Sequence, residues 1–418
     1  MPDQFRPPSA LPSALTGVLQ ARTAVYAAFA LAGVQFAAFA SRIPEVKAAL
    51  NLSASDLGLT LLAISVGSLV ALPTSGWLVQ RFGASRTVAA GMVMAIVGLS
   101  LAGIGADLWH SRAILSVGLT LAGLGIGSWD VAMNIEGAAV EQQLGRSIMP
   151  RFHAAFSAGT VLSALLGAAL SAGGIPIVLH LVATGVAVGL IGAWSVGRFL
   201  PRTAEDADHV PSGMAEPAAS APVSMRGAWT EPRTLLIGFV TLAAAFTEGT
   251  ANDWLSVAFV EGHSQPPWAG VLGLATFLIF MTIGRVAGTW MLDRYGRVLV
   301  LRITLSLAVV GALMVVFGST PVAYAGAACW GIGSSLGFPL GMSAAADDPV
   351  HAAARVSVVS TIGYLAFLAG PPLLGFLGDH VGVLRALLVV GAMVALALLG
   401  VPAMREPQRS TAHDADPA

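Results

Sequence analysis

The chain has one cysteine in 418 residues, four tyrosines and only 10% charged residues, and its basic residues form no dense cluster. The lone Cys329 excludes an internal disulfide and a cysteine-built metal site. A net charge of −1 without a basic cluster excludes nucleic acid as a partner. There is no phosphate-cradling loop, no metal-ligand cluster and no nucleophile–base pair, so neither a cofactor nor a catalytic residue is assigned. What is abundant is apolar. At 56% hydrophobic residues and a mean hydropathy of +0.79, polar surface cannot cover a soluble core, and the chain belongs in a bilayer.

A spanning helix needs about 20 mostly apolar residues. Runs of that kind occur near 22–42, 57–79, 87–106, 112–140, 152–172 and 175–197, and again near 234–260, 267–291, 298–317, 320–345, 355–377 and 381–402. These predict an all-α membrane protein of twelve helices in two six-helix halves, 22–199 and 233–402. Residues 1–21, with four prolines, read as a tail without a cleavable signal, and 403–418 as a second tail. Segment 200–232 has no periodicity and little apolar bulk, and reads as a flexible linker. If the termini and linker share one side, only Arg42, Lys47, Arg112 and Arg385 of the 21 basic residues fall opposite. The basic side faces the cytoplasm, so both termini are expected there.

The halves repeat. Thr289, Asp293, Arg294, Gly296 and Arg297 stand 213 positions after Gly76, Gln80, Arg81, Gly83 and Ala84, each set between apolar runs. A short charged turn at the same point of two hydrophobic halves points to duplication, a plan usual in secondary transporters. The pattern of glycine, aspartate, arginine, glycine and a basic residue resembles the signature loop of the major facilitator superfamily, with Thr289 and Gln80 as departures. Ser41–Pro44, Asp130–Asn134 and Gly337–Pro339 resemble a bacterial branch grouped with fucose-permease-like sugar symporters. The resemblance implies alternating access, a position in the cytoplasmic membrane and a gating role for both turns. Because Gln80 cannot form an ion pair, the first gate is expected to be the weaker.

Ionisable groups inside spans are costly and face a cavity or a partner. Asp130 and Asn134 share a face of the fourth span, as do Glu248 and Asn252 of the seventh. The 213-residue offset makes Gln35 the counterpart of Glu248. Proton coupling is assigned to Asp130 or Glu248, with His153 as a candidate relay, although a lone histidine at a helix end is more often a capping or packing residue. Substrate binding is assigned to Gln35, Trp129, Asn134, Asn252 and Trp254, weighed against plain interhelical packing. Glu136, Glu141 and Asp253 read as solvated groups near helix ends, and Arg285 as a snorkelling or gate-supporting residue.

The expected function is secondary active transport of a small polar, sugar-like solute, coupled to protons, by a monomer in contact with lipid. Export of amphiphilic compounds is the alternative, although the fifth span lacks the glycine–proline run of drug exporters. A membrane enzyme or sensor is the remote one, since the linker is too poor in apolar groups to fold.

Overall fold

A computed structural model describes residues 11–146, 148–201, 225–348 and 350–406, and every regular element among them is helical. The first half comprises α1 (Leu11–Ala40), α2 (Ile43–Ala49), α3 (Ala54–Phe82), α4 (Ala84–Asp107), α5 (Arg112–Leu144), α6 (Met149–Ala172) and α7 (Ile177–Val196). The second comprises α8 (Met225–Thr230), α9 (Pro232–Gly262), α10 (Pro267–Phe317), α11 (Thr320–Ser334), α12 (Gly337–Ala345), α13 (Ala352–Val381), α14 (Val383–Ala386) and α15 (Leu388–Gly400). Among the described residues, ten helical stretches are long and apolar enough to cross a membrane. The 51-residue α10 covers two of the expected spans, and α11 with α12 supplies another, which gives the twelve helices of the fold.

The breaks have local causes. α3 and α4 meet at Gly83 (φ 88°, ψ 158°), and α10 bends at Gly296 (φ 73°, ψ 163°). These are the second glycines of the repeated turn, and their shared conformation is one that a Cβ disfavours. The helix restarts at Gly337 with Pro339 in its first turn, where the missing N–H has no partner to lose. Two boundaries differ from expectation. α1 begins at Leu11, inside the stretch read as a tail, because Pro12 sits in its first turn. α8 occupies the end of the expected linker, where Ala228 packs with Ala354 and Val358. Residues 202–224 of the linker and 407–418 of the second tail lie outside the described residues.

Close helix packing rests on small residues. A Cβ on Gly118 would stand 2.5 Å from the Ala102 nitrogen, so α4 and α5 approach backbone to backbone; Gly311 meets the Trp330 nitrogen at the same distance in the second half. Phe29, Met92, Trp129, Phe152 and Val188 form the buried cluster of the first half. The chain divides into two compact units that do not coincide with the halves. The first holds Met1–Ala218 with Thr250–Thr282 and Pro371–Ala386; the second holds Ala219–Gly249, Ile283–Gly370 and Leu387–Ala418.

Candidate functional site

The repeated turns share a backbone but are held differently. In the second, Arg297 is buried and clamps Asp347 with two nitrogens, at 3.0 and 3.1 Å, while donating to Ser343 Oγ and the Met404 carbonyl at 3.3 Å. Arg233 reaches the same carboxylate at 2.8 Å. Asp293 and Arg294, the acid and base of the motif, are both exposed, and Arg294 donates to Tyr295 Oη at 3.2 Å. In the first turn Gln80 and Arg81 are exposed, and Ala84 stands where Arg297 would be. Gly76 sits inside α3 and serves no close approach: nothing lies within 4 Å of where its Cβ would be. That openness explains why Thr289 can replace it.

Asp347 was not anticipated, although the register that aligns Gly125–Ser128 with Gly331–Ser334 puts it opposite Glu141. The two acids do related work. Glu141 lacks an arginine at position 84 and accepts instead from the amides of Ile148 and Met149, at 2.5 and 2.6 Å, at the start of α6. A carboxylate there satisfies donors that no helical carbonyl reaches and complements the helix dipole. Glu136 is likewise not a solvated group: it is buried and accepts from the Leu200 amide at 2.7 Å.

Within the first unit, Asp130 and Asn134 do share a face. Asn134 Nδ2 donates to the Asp130 carbonyl at 2.8 Å and to its Oδ1 at 3.3 Å. No cation pairs with Asp130 among the described residues, and Arg151 is exposed. His153 is also exposed at the start of α6, with its ring edge on Phe29 at 5.2 Å. Gln35 and Asn252 are buried, and Gln35 Oε1 has no hydrogen-bond partner among the described residues. Trp129 and Trp254 are fully buried with indole N–H groups that find no acceptor among the described residues, and Trp129 packs in the apolar cluster of the first half. Asp253 is not near a helix end: α9 continues nine residues to Gly262, about 14 Å at the helical rise, and no ion pair forms on it among the described residues.

Within the second unit, Arg285 neither snorkels nor supports the turn. Its Nη2 sits between the carboxylate oxygens of Glu248, at 3.0 and 3.1 Å. The two membrane carboxylates expected to compete for one role are therefore chemically distinct. Glu248 is charge-compensated and Asp130 is not.

At the opposite helix ends, the first unit carries a set of contacts that the sequence did not suggest. Asp379 of α13 accepts from the amides of Ala54 and Ser55, at 2.8 and 3.0 Å, capping the N-terminus of α3. Gly58 has no room for a Cβ against the Pro371 carbonyl, and one on Gly375 would stand 2.5 Å from the Ala54 carbonyl. Lys47 pairs with Glu261. The Ser41–Pro44 motif is structural: Arg42 is wholly buried, donating to His180 Nδ1 at 2.9 Å and to Glu45 at 2.7 Å.

Comparison with known proteins gives this geometry a family. An uncharacterized MFS-type transporter of Yersinia pestis is 31% identical over 378 residues, covering 90% of this chain and 92% of the relative. Two solved structures share the fold at low identity. The nucleoside transporter NupG superposes with a TM-score of 0.72 at 14% identity, over 93% of this chain and 100% of that one. A variant of the Escherichia coli fucose:proton symporter FucP does so with a TM-score of 0.61 at 14% identity, over 92% and 98%. The family model described as Major Facilitator Superfamily matches residues 25–357 and 269–416, and with the twin turns and twelve helices it places this integral membrane chain in the major facilitator superfamily.

Proposed function

We propose that the chain is a proton-coupled carrier of a small polar solute, of the sugar or nucleoside class, working by alternating access in the cytoplasmic membrane with both termini inside. The carrying observation is Asp130, a carboxylate in the middle of a lipid-spanning helix that is held by Asn134 and paired with no cation among the described residues. Such a group is costly as packing glue, and a proton is the simplest means of removing its charge before the carrier reorients. Glu248, held by Arg285, suits a different role, because a fixed ion pair offers acceptors and donors to the hydroxyls of a solute without changing its own charge. Gln35, Asn134 and Asn252 are assigned to the solute as hydrogen-bonding groups. The fucose symporter and the nucleoside transporter support the solute class by fold alone. Curated relatives named as transporters support a carrier over an enzyme.

Reconstituted vesicles with an imposed pH gradient test the assignment, using labelled sugars and nucleosides as solutes. Asp130→Asn is expected to abolish uphill accumulation while retaining equilibrium exchange, and Glu248→Gln to lose both. Wild-type accumulation by Asp130→Asn overturns the coupling role. Transport of none of these solutes, with extrusion of a cationic dye instead, overturns the solute class.

A further inference from the structure

The two turns share a second pattern that gating does not use. Trp77 and Phe82 meet edge to face with centroids 6.1 Å apart at 89°; Trp290 and Tyr295, 213 residues on, meet at 6.1 Å and 87°. Arg81 lies over the Phe82 ring at 5.7 Å and Arg294 over the Tyr295 ring at 5.6 Å. Both tryptophans are exposed, at 60% and 61%, so neither cassette serves packing within the protein. Two indoles kept outward in a duplicated arrangement, one helical turn before an arginine, are placed for the boundary between hydrocarbon and headgroups.

Further arginines gather at each cassette. In the second half a groove is lined by Tyr295, Arg297, Arg302, Arg405 and Glu406. Arg297 is committed to Asp347 and lies 3.8 Å from Glu406, but the exposed Arg302 and Arg405 side chains have no carboxylate or other hydrogen-bond acceptor among the described residues. In the first half, Ser85 Oγ donates to the Val196 carbonyl at 2.8 Å, which brings the start of α4 to the end of α7. Exposed Arg86 stands in the first turn of α4, and exposed Arg198 two residues past the end of α7, stacked over Trp194 at 4.6 Å and donating from Nη1 to its carbonyl at 3.0 Å. Asp293 is the acid on the second turn, exposed one residue before Arg294.

We infer that each turn region binds the phosphate-bearing headgroup of an anionic phospholipid, with the tryptophan against the acyl-chain boundary and the paired arginines on the phosphate. Arginine presents a planar fork to phosphate oxygens, and its weaker hydration suits a half-desolvated interface. The leaflet is the one facing the chain termini, a detail that rests on the proposed orientation; the binding itself does not.

The test uses the purified full chain in zwitterionic detergent, titrated with dioleoyl phosphatidylglycerol or dioleoyl phosphatidylcholine and followed by native mass spectrometry. The wild type is expected to retain two phosphatidylglycerol molecules and to lose phosphatidylcholine. Arg302→Gln with Arg405→Gln, and separately Arg86→Gln with Arg198→Gln, should each remove one, by about 25-fold in affinity at roughly fivefold per arginine. The lysine variants at the same positions should keep only part of the binding, more than the glutamine variants and less than the wild type, and an unchanged melting temperature in phosphatidylcholine shows that the glutamine variants are folded. Equal retention of the two lipids, or unchanged binding in both glutamine variants, overturns the proposal. Displacement of phosphatidylglycerol by inorganic phosphate alone assigns the sites to free phosphate and overturns the lipid source.

Discussion

The glycines of the α3–α4 turn and of the α10 bend share a conformation, yet the second turn carries a buried salt bridge to Asp347, while the matching acid of the first half, Glu141, caps the start of α6. Arg297 stands in the second turn where the first has Ala84. With an arginine present, the acid at the end of α12 becomes half of a buried ion pair. Without one, the matching acid on α5 turns to the amides that open α6. A helix end always has orphan donors to offer, so a carboxylate beside one finds partners whether or not the turn supplies an arginine.

That contrast can be broken most forcefully at Arg297. Replacing it with Gln leaves Asp347 buried with Arg233 still at 2.8 Å, so the cost falls below the roughly 3–5 kcal/mol of a buried charge left wholly unpaired. A large fall in the melting temperature is expected, and Asp347→Asn should match it; a shift no larger than that of an exposed-residue variant would show that the buried pair holds nothing. Glu141→Gln should cost less, about 1–2 kcal/mol, because a neutral amide oxygen still accepts from Ile148 or Met149 while the interaction of the charge with the start of α6 is lost. Hydrogen exchange at residues 148–152 should rise in that variant and stay unchanged in Arg297→Gln.

Asp293→Asn and Gln80→Ala should both lie within about 0.5 kcal/mol of the wild type, since both side chains are exposed. A transport defect confined to Asp293→Asn would then mark a role in another conformational state rather than in holding this one. The smallest effect concerns pH. Partial burial would raise the Glu231 pKa, but the Thr234 hydroxyl and the Arg355 guanidinium outweigh it and hold the carboxyl below its ordinary 4.5. A depressed folded pKa gives stability that is present above the ordinary value and fades as pH falls through the folded one. The gap in melting temperature between wild type and Glu231→Gln, worth under about 1 kcal/mol at this partly exposed pair, should close below pH 4.5.

The parts of this architecture that were legible in sequence are those carried by local period and composition. Apolar runs gave the twelve helices, four-residue spacing put Asp130 with Asn134, and the repeated glycine marked both bends. The parts that were hidden depend on partners distant along the chain. Arg285 lies 37 residues from Glu248, and nothing in its own helix distinguishes a snorkelling arginine from a paired one. Asp347 lies past the end of an apolar run, and only the α5 register singles it out. Asp253 was misplaced for a simpler reason: helix length follows from packing, which composition does not encode.

The cap that Asp379 places on α3 has a thermodynamic consequence. The first turn of α3 borrows its acceptors from α13, so drawing that end of α13 away uncovers two amides at once. Asp379 is exposed, so water can replace the departing carboxylate at both amides, and each exchange costs no more than the roughly 1.5–3 kcal/mol net of a hydrogen bond to a charged group. An attachment of this kind fixes position sharply and resists weakly. It can be made and surrendered repeatedly without storing the several kcal/mol that a buried salt bridge would demand at every release.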